Sequence, residues 1–258
     1  MSGFSTPHSY LHFAQDVRNG PRHLLDGPVL HFLDAVRATA ASRVCVIKEG
    51  EAIFRAQLGC EWIPDYMTVS DTGEDVQVGE YPEPFGEQRM RPRTGRAPEG
   101  RANPKGIAVF YGAIDPRTAG SEMRPGVGEY VTVALFQAKR TLRCVDCTIN
   151  VERARKGTRL WWEGMPMLPA EELEADAWKA IDRAFSVPLK RSDDTAEYAA
   201  TQILAELFKQ EGYDGLVFRS SVADGTNCVL FDLEAVAFAT SRLWKVRDVQ
   251  VGFDGPQF

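Results

Sequence analysis

The chain has no run approaching the roughly 20 consecutive apolar residues that a membrane-spanning helix needs. Its first residues, MSGFSTPHSYLHFAQDVRNG, carry no basic segment followed by an apolar stretch. That excludes a secretory signal and predicts a cytoplasmic protein. There is no internal repeat and no low-complexity tract. Histidine is scarce: all four (His8, His12, His23, His31) lie near the start. Cysteine is limited to five, an odd count that does not suggest a disulfide framework. The single C-x-x-C pair, Cys144 and Cys147, lacks the second pair or nearby histidines that a zinc site requires. It also sits in RTLRCVDCTI, which reads as a strand with Leu142, Cys144 and Asp146 on one face and Arg143, Val145 and Cys147 on the other. The cysteines are therefore read as structural, and no metal is expected. An excess of positive charge is missing too. The net charge of −6 weighs against nucleic-acid binding, which rests on phosphate neutralisation.

What is present is an ordinary globular composition, 44% apolar and 26% charged over 258 residues. That length is long for one compact domain but within range. The positive charge is unevenly placed. Arg89, Arg91, Arg93, Arg96, Arg101 and Lys105 meet only Glu87 and Glu99 in their stretch. Lys139, Arg140, Arg143, Arg153, Arg155, Lys156 and Arg159 make a second basic region. Most of these read as solvated surface; the alternative is a local site for a phosphate-bearing ligand.

Pro28–Ala41 carries Val29, Phe32, Leu33 and Val36 at helical spacing. Arg43–Lys48 and Ala52–Gln57 read as strands separated by a Glu49-Gly50 turn. Gly59 to about Gly100 holds five prolines and little periodic pattern, which predicts a long irregular insertion. Ile107–Tyr111 reads as a strand leading into Asp115-Pro116. Asp at the N-cap and Pro at the first helical position start a helix there, which runs to about Arg124. Strands at Tyr130–Phe136 and Thr141–Cys147 follow, then helices at Pro169–Phe185 and Asp194–Glu211, the latter stopped by Gly212. Gly215–Phe218, Asn227–Phe231 and Ala235–Ala239 close the chain as strands. Strands cluster and helices stand apart, so the fold class is α+β rather than doubly wound α/β.

Three features bear on chemistry. Arg55 lies in the apolar strand AIFRAQ, where a guanidinium either snorkels to an edge or grips a diphosphate or carboxylate. Tyr111 ends a strand and Glu122 lies on the next helix; singly they read as a half-buried core tyrosine and a solvent-exposed glutamate, and the alternative is that together they set an aromatic ring and a carboxylate around one ligand. In YDGLVFRSSVADGTNCVLFD (Tyr213–Asp232), Ser220, Ser221 and Asn227 are either ordinary turn residues or the lining of a pocket. No histidine stands near these serines, which argues against a Ser-His-Asp hydrolase.

These residues fall in blocks that resemble the RES family: FRAQ at Phe54–Gln57, GRANPKGIAVFYGAIDPRTAGSEMRP at Gly100–Pro125, and TQILAELFKQEGYDGLVFRSSVADGTNCVLFD at Thr201–Asp232. The chain departs from a minimal RES domain in its N-terminal extension, its Pro-rich insertion, and Ala102 where a bulkier residue is common. The resemblance implies an ADP-ribosyltransferase-like fold, with central mixed or antiparallel strands flanked by helices. The expected layout is a helical extension over residues 1–50 packed on the core, a RES domain over 51–240, and a tail over 241–258. It implies an enzyme that takes NAD as substrate, carries no prosthetic group, and releases nicotinamide. Inorganic phosphate is the favoured acceptor, with water or a protein side chain as alternatives. A non-catalytic nucleotide-binding module is the less favoured class, and the basic insertion as an RNA-binding element is weighed against by net acidity. The resemblance further implies a helical Xre-type antitoxin as partner. The family's functional Arg, Arg, Tyr, Glu and Ser map to Arg55, Arg101, Tyr111, Glu122 and one of Ser220 or Ser221, with Ser221 preferred. In that scheme Glu122 steadies an oxocarbenium-like ribosyl cation, and Tyr111 walls the nicotinamide pocket. Arg55 and Arg101 hold the diphosphate or deliver phosphate. Ser220, Ser221 and Asn227 bind NAD.

Overall fold

The computed structural model describes residues 3–20, 27–150, 168–187 and 195–250. Their helices are α1 (Ser9–Asn19), α2 (Gly27–Ala40), the single turn α3 (Glu87–Met90), α4 (Pro116–Glu122), α5 (Ala170–Ser186) and α6 (Ala199–Gln210). Their strands are β1 (Val44–Ile47), β2 (Ala52–Leu58), β3 (Glu61–Thr68), β4 (Asp75–Glu83), β5 (Phe110–Ala113), β6 (Tyr130–Ala138), β7 (Leu142–Asp146), β8 (Gly215–Arg219), β9 (Thr226–Leu230) and β10 (Val236–Lys245). Eight strands form one sheet in the order β1-β7-β8-β9-β5-β2-β6-β10. Every neighbouring pair is antiparallel except β7 and β8. A parallel pair needs a crossover connection, and α5 and α6 lie within the one that joins β7 to β8. None of the described helices is long and apolar enough to cross a membrane.

Strand alternation divides the core. Val145, Cys147, Leu216, Phe218 and Val229 face one side of the sheet, where α1, α2, α5 and α6 cover them. Leu142, Cys144, Val217, Cys228 and Leu230 face the other, with Phe110, Phe136 and Met90. Cys144 and Cys147 thus point into separate cores, as their strand spacing predicts. The helical layer is built on regular stripes. Phe13 and Val17 of α1 are buried four apart, and the Phe13 ring stacks on Phe32 of α2 at 4.4 Å. Leu173, Ala177, Trp178, Ile181 and Phe185 form the inner stripe of α5.

The α+β expectation holds, with differences in detail. The stretch from Gly59 to Gly100 is not irregular throughout. β3 and β4 pair into a two-stranded ribbon closed by a turn at 69–74. A register shift between Asp65 and Tyr66 breaks the period-2 pattern. Pro64 and Pro82 are tolerated because both ribbon strands are edges, where a missing N–H costs little. The strand expected over Ile107–Tyr111 is displaced to Phe110–Ala113, because Asn103 Nδ2 donates to the Ile107 carbonyl (2.8 Å) and holds that residue in the preceding loop. β10 runs on to Lys245, past the expected end at Ala239, because it pairs along the full length of β6. The helix expected from Asp194 begins as a 3-10 turn at Thr195–Tyr198; Asp194 itself, like Arg153, Arg155, Lys156 and Arg159, lies outside the described residues.

Candidate active site

A cleft of about 500 Å³ opens where β2, β5 and β9 meet α4 and the end of α5. It is within the size range of small-molecule sites. Arg55, Arg101, Tyr111, Glu122 and Asn227 all line it, brought together from three separated parts of the chain.

Glu122 is placed by α4. Asp115 caps that helix by accepting from the Thr118 amide at 2.8 Å, with Pro116 at its first position. Seven residues later the helix ends with Glu122 at the cleft. Its Oε1 accepts two hydrogen bonds, from Ser220 Oγ at 2.6 Å and from Asn227 Nδ2 at 2.6 Å. Both donors hold the same oxygen, which fixes the carboxylate plane. Ser220 is itself fixed, because its hydroxyl oxygen accepts from the amides of Val222 and Ala223 at 3.1 Å each. Gly225 brings that turn against α4: a β-carbon there would lie 2.0 Å from Thr118 Oγ1 and 2.3 Å from Asp115 Oδ2.

Ser221, the serine preferred from the sequence, is exposed, and its hydroxyl donates to the Ser186 carbonyl at 3.0 Å. The structure therefore puts Ser220, not Ser221, on Glu122. Two adjacent serines at the end of a strand point to opposite sides, and the sequence alone does not fix which side holds the glutamate.

Arg101 lies across the cleft. One amino group donates to the Ala184 carbonyl at the end of α5. The other, Nη2, is buried and has no partner among the described residues. The guanidinium lies 5.9 Å from the centroid of the Tyr198 ring. Burial pulls its pKa below the ordinary arginine value, while Tyr198, Tyr10, Tyr111 and Glu122 oppose that shift. A desolvated guanidinium nitrogen without an acceptor among the described residues is costly.

Arg55 is pinned on β2. Its Nε donates to the Met90 carbonyl at 3.0 Å and its Nη1 to the Tyr111 carbonyl at 2.9 Å. Burial lowers its pKa as well. It presents positive charge at the wall while bracing β2 against β5 and α3.

The Tyr111 hydroxyl donates to Asn103 Oδ1 at 2.8 Å and accepts from the Ala102 amide at 3.0 Å. Burial raises its pKa to about 12. Its ring borders the cleft, but its hydroxyl is committed to the loop that carries Arg101. Gly100 permits that approach, since a β-carbon there would lie 2.6 Å from the tyrosine oxygen. Asn103, 2% exposed, gathers the same loop by donating to the carbonyls of Pro98, Pro104 and Ile107. Gln202 of α6 closes it from outside, with Nε2 donating to the carbonyls of Gly100 (2.9 Å) and Asn103 (3.0 Å).

Several site residues were not singled out from the sequence. Asn103 and Gln202 stand inside the quoted blocks, but their use shows only once the loop is folded. Asp182 left a readable trace. It falls four residues after Trp178 and three before Phe185, on the buried stripe of α5, where an unexplained carboxylate signals a partner. Arg124 lines the cleft with a left-handed backbone (φ 48°). Of the second basic region, Lys139 pairs with Glu234, and Arg140 with Asp214, at the surface.

No curated protein matches the chain. A chain in the crystal structure of the M. tuberculosis MbcT–MbcA toxin–antitoxin complex is similar at 12% identity and a TM-score of 0.40, over 81% of this chain and 91% of that one. The model of the RES domain matches residues 80–254, well over half of the sequence, and takes in Arg101, Tyr111, Glu122, Ser220 and Asn227. The chain belongs to the RES-domain family, and its helix-flanked, mostly antiparallel sheet is the ADP-ribosyltransferase-like fold expected of it.

Proposed function

We propose that this chain cleaves the nicotinamide–ribose bond of NAD and transfers the ADP-ribosyl group to inorganic phosphate. One observation carries the reading: a carboxylate held rigidly by Ser220 and Asn227 shares a cleft with a buried guanidinium nitrogen that has no partner among the described residues. NAD offers a complementary pair of features, a ribose that becomes cationic and a diphosphate that is anionic.

In this reading the bond between ribose C1′ and the nicotinamide nitrogen breaks, and nicotinamide leaves with the electron pair as a neutral molecule. Positive charge develops on the ribose ring, as in glycoside cleavage. Glu122 steadies it through the oxygen that Ser220 and Asn227 do not occupy. Because the carboxylate is already oriented, little reorganisation accompanies the step. Arg101 takes the diphosphate through Nη2. Phosphate oxygen then bonds to C1′. The support for an anionic acceptor is the excess of guanidinium at the cleft, where Arg55, Arg101 and Arg124 stand with Glu122, the one carboxylate among the described residues that line it. Tyr111 serves the site through its ring at the wall and its hydroxyl in the loop. An activity that consumes NAD calls for restraint, and the family resemblance supplies a candidate partner, a helical Xre-type antitoxin that blocks the site.

The test is direct. Purified protein is incubated with NAD, with and without phosphate, and nicotinamide release and the second product are followed. The expected result is release that depends on phosphate, with a phosphorylated ADP-ribose as product. Release without phosphate dependence assigns water as acceptor, and ADP-ribose on protein assigns a side chain. No release under any condition removes the enzymatic reading. A Glu122→Gln variant is expected to lose release by at least about a hundredfold, on the scale of removing one electrostatic stabiliser of a transition state.

A further inference from the structure

The last turns of α5 touch both halves of the site. The Ala184 carbonyl accepts from Arg101. The Ser186 carbonyl accepts from Ser221 at 3.0 Å, and the Ser186 hydroxyl donates to the Asp182 carbonyl at 2.6 Å. The Asp182 carboxylate, 2% exposed, holds Arg219 in two ways: Oδ1 accepts from its backbone amide at 2.9 Å and Oδ2 from its Nε at 2.8 Å. Arg219 is the last residue of β8, and the next residue is Ser220, which donates to Glu122.

A buried carboxylate could be an ordinary ion-pair anchor. Two features argue for more. The Arg219 side chain is 51% exposed, so its guanidinium is a weakly desolvated partner for a carboxylate that is almost wholly buried. The backbone bond, by contrast, fixes the Phe218–Arg219 peptide at the end of β8, one residue before Ser220, whose own amide donates to the Gly225 carbonyl at 3.0 Å. Releasing the end of β8 lets the strand and the Ser220 turn shift together, and a shift of about one ångström at the serine hydroxyl would break its 2.6 Å bond to Glu122 Oε1.

We propose that Asp182 is a positioning residue for Glu122: it fixes the Arg219 peptide, which sets the Ser220 hydroxyl, which orients the carboxylate, while the same helix end holds Arg101 at its distance from it. The inference rests on the reading of Glu122 as the residue facing the ribose. It extends that reading to a side chain that touches no substrate.

The experiment compares Asp182→Asn, Asp182→Glu and Asp182→Ala in the full chain. Asparagine keeps an oxygen for the Arg219 amide and loses the charge. Glutamate keeps the charge and displaces the oxygen by one methylene. Positioning therefore predicts the order Asn above Glu above Ala in kcat for nicotinamide release, with Asn within about threefold of the natural protein and Ala down at least thirtyfold. NAD affinity, read by calorimetry, is expected to stay within threefold, because Arg101 is held by a backbone carbonyl. An ion-pair anchor predicts the reverse order of Asn and Glu, and that result overturns the proposal, whether or not the alanine variant folds. Hydrogen exchange of the peptides covering 116–124 and 219–226 gives a second readout without turnover. Faster exchange in both for Asp182→Glu, with Asp182→Asn unchanged, supports positioning even if no NAD is cleaved, in which case the functional reading fails alone. Unchanged exchange at 116–124 in the Glu variant removes the link to Glu122.

Discussion

Ser220 Oγ and Glu122 Oε1 lie 2.6 Å apart, and Asn227 Nδ2 reaches the same oxygen at 2.6 Å. The two donors come from β9 and the turn before it, whereas Glu122 ends α4. A hydrogen bond to a charged group contributes about 1.5–3 kcal/mol. If that energy is expressed in the transition state, Ser220→Ala lowers nicotinamide release by about 10- to 100-fold. Ser221→Ala, which removes only a bond from an exposed hydroxyl to the Ser186 carbonyl, is expected to stay within about twofold. Steady-state kinetics of the two variants side by side decide between the serines. Equal losses, or a larger loss at Ser221, would sink the assignment of Ser220.

The unpartnered Nη2 of Arg101 gives a prediction that needs no turnover. A ligand that binds only the folded state raises the melting temperature. Inorganic pyrophosphate at millimolar concentration is therefore expected to raise the Tm of the natural protein by a few degrees. Arg101→Ala is expected to abolish the shift. Arg101→Lys is expected to recover only part of it, since a point charge does not reproduce the planar fork. A full shift retained in Arg101→Ala would place the anion site elsewhere, with Arg55 or Arg124 the next to be replaced.

Part of the site is legible in the sequence and part is not. α4 was readable because its signal is local: Asp115 caps, Pro116 starts, and Glu122 follows within two turns. The opposite faces of Cys144 and Cys147 were readable because strand alternation is local too. The β3–β4 ribbon was not, because its prolines suggest loop and its pairing lies between strands rather than within either. The choice between Ser220 and Ser221 was not readable either. It depends on how β8 ends, and that end is held by Asp182 some forty positions earlier. The roles of Asn103 and Gln202 depend on the Arg101 loop meeting α6, which no local pattern announces.

Tyr111 separates two roles that one residue combines. If its ring is what matters, Tyr111→Phe keeps full activity. If its hydroxyl organises the Arg101 loop, the phenylalanine variant leaves Asn103 Oδ1 and the Ala102 amide without their partner. The geometry favours the second, because the hydroxyl both donates and accepts within the loop. The expected result is a stability loss of about 1–3 kcal/mol for the unsatisfied buried groups and a raised KM for NAD, with kcat changed less. Denaturant unfolding together with the KM–kcat split checks it. A variant with natural stability and natural KM assigns Tyr111 to the ring role alone.

Alkaline pH tests burial at the site and in the core together. Burial raises Tyr111 from its ordinary 10 to about 12, Cys45 from 9 to about 11, and Cys228 from 9 to about 12. Each of these groups is neutral when protonated, so the folded protein holds the proton more tightly than the unfolded chain. Below about pH 8 both states are largely protonated, and the stabilising contribution is fully present. As pH rises from about 8 to 12, the unfolded chain ionises first, its thiols before its tyrosine, and stability falls. Urea midpoints measured at pH 7, 9 and 10.5 are therefore expected to fall slightly between the first two and to drop further at the third. Cys228→Ala is expected to soften that drop. Native Cys228 is also expected to resist iodoacetamide at pH 8, because the thiolate is the reactive form and the folded core disfavours it; its modification then follows global unfolding. A midpoint flat to pH 10.5 would show that these groups are more open to water than their burial indicates, and rapid native labelling of Cys228 would show the same of its packing between β5 and β8.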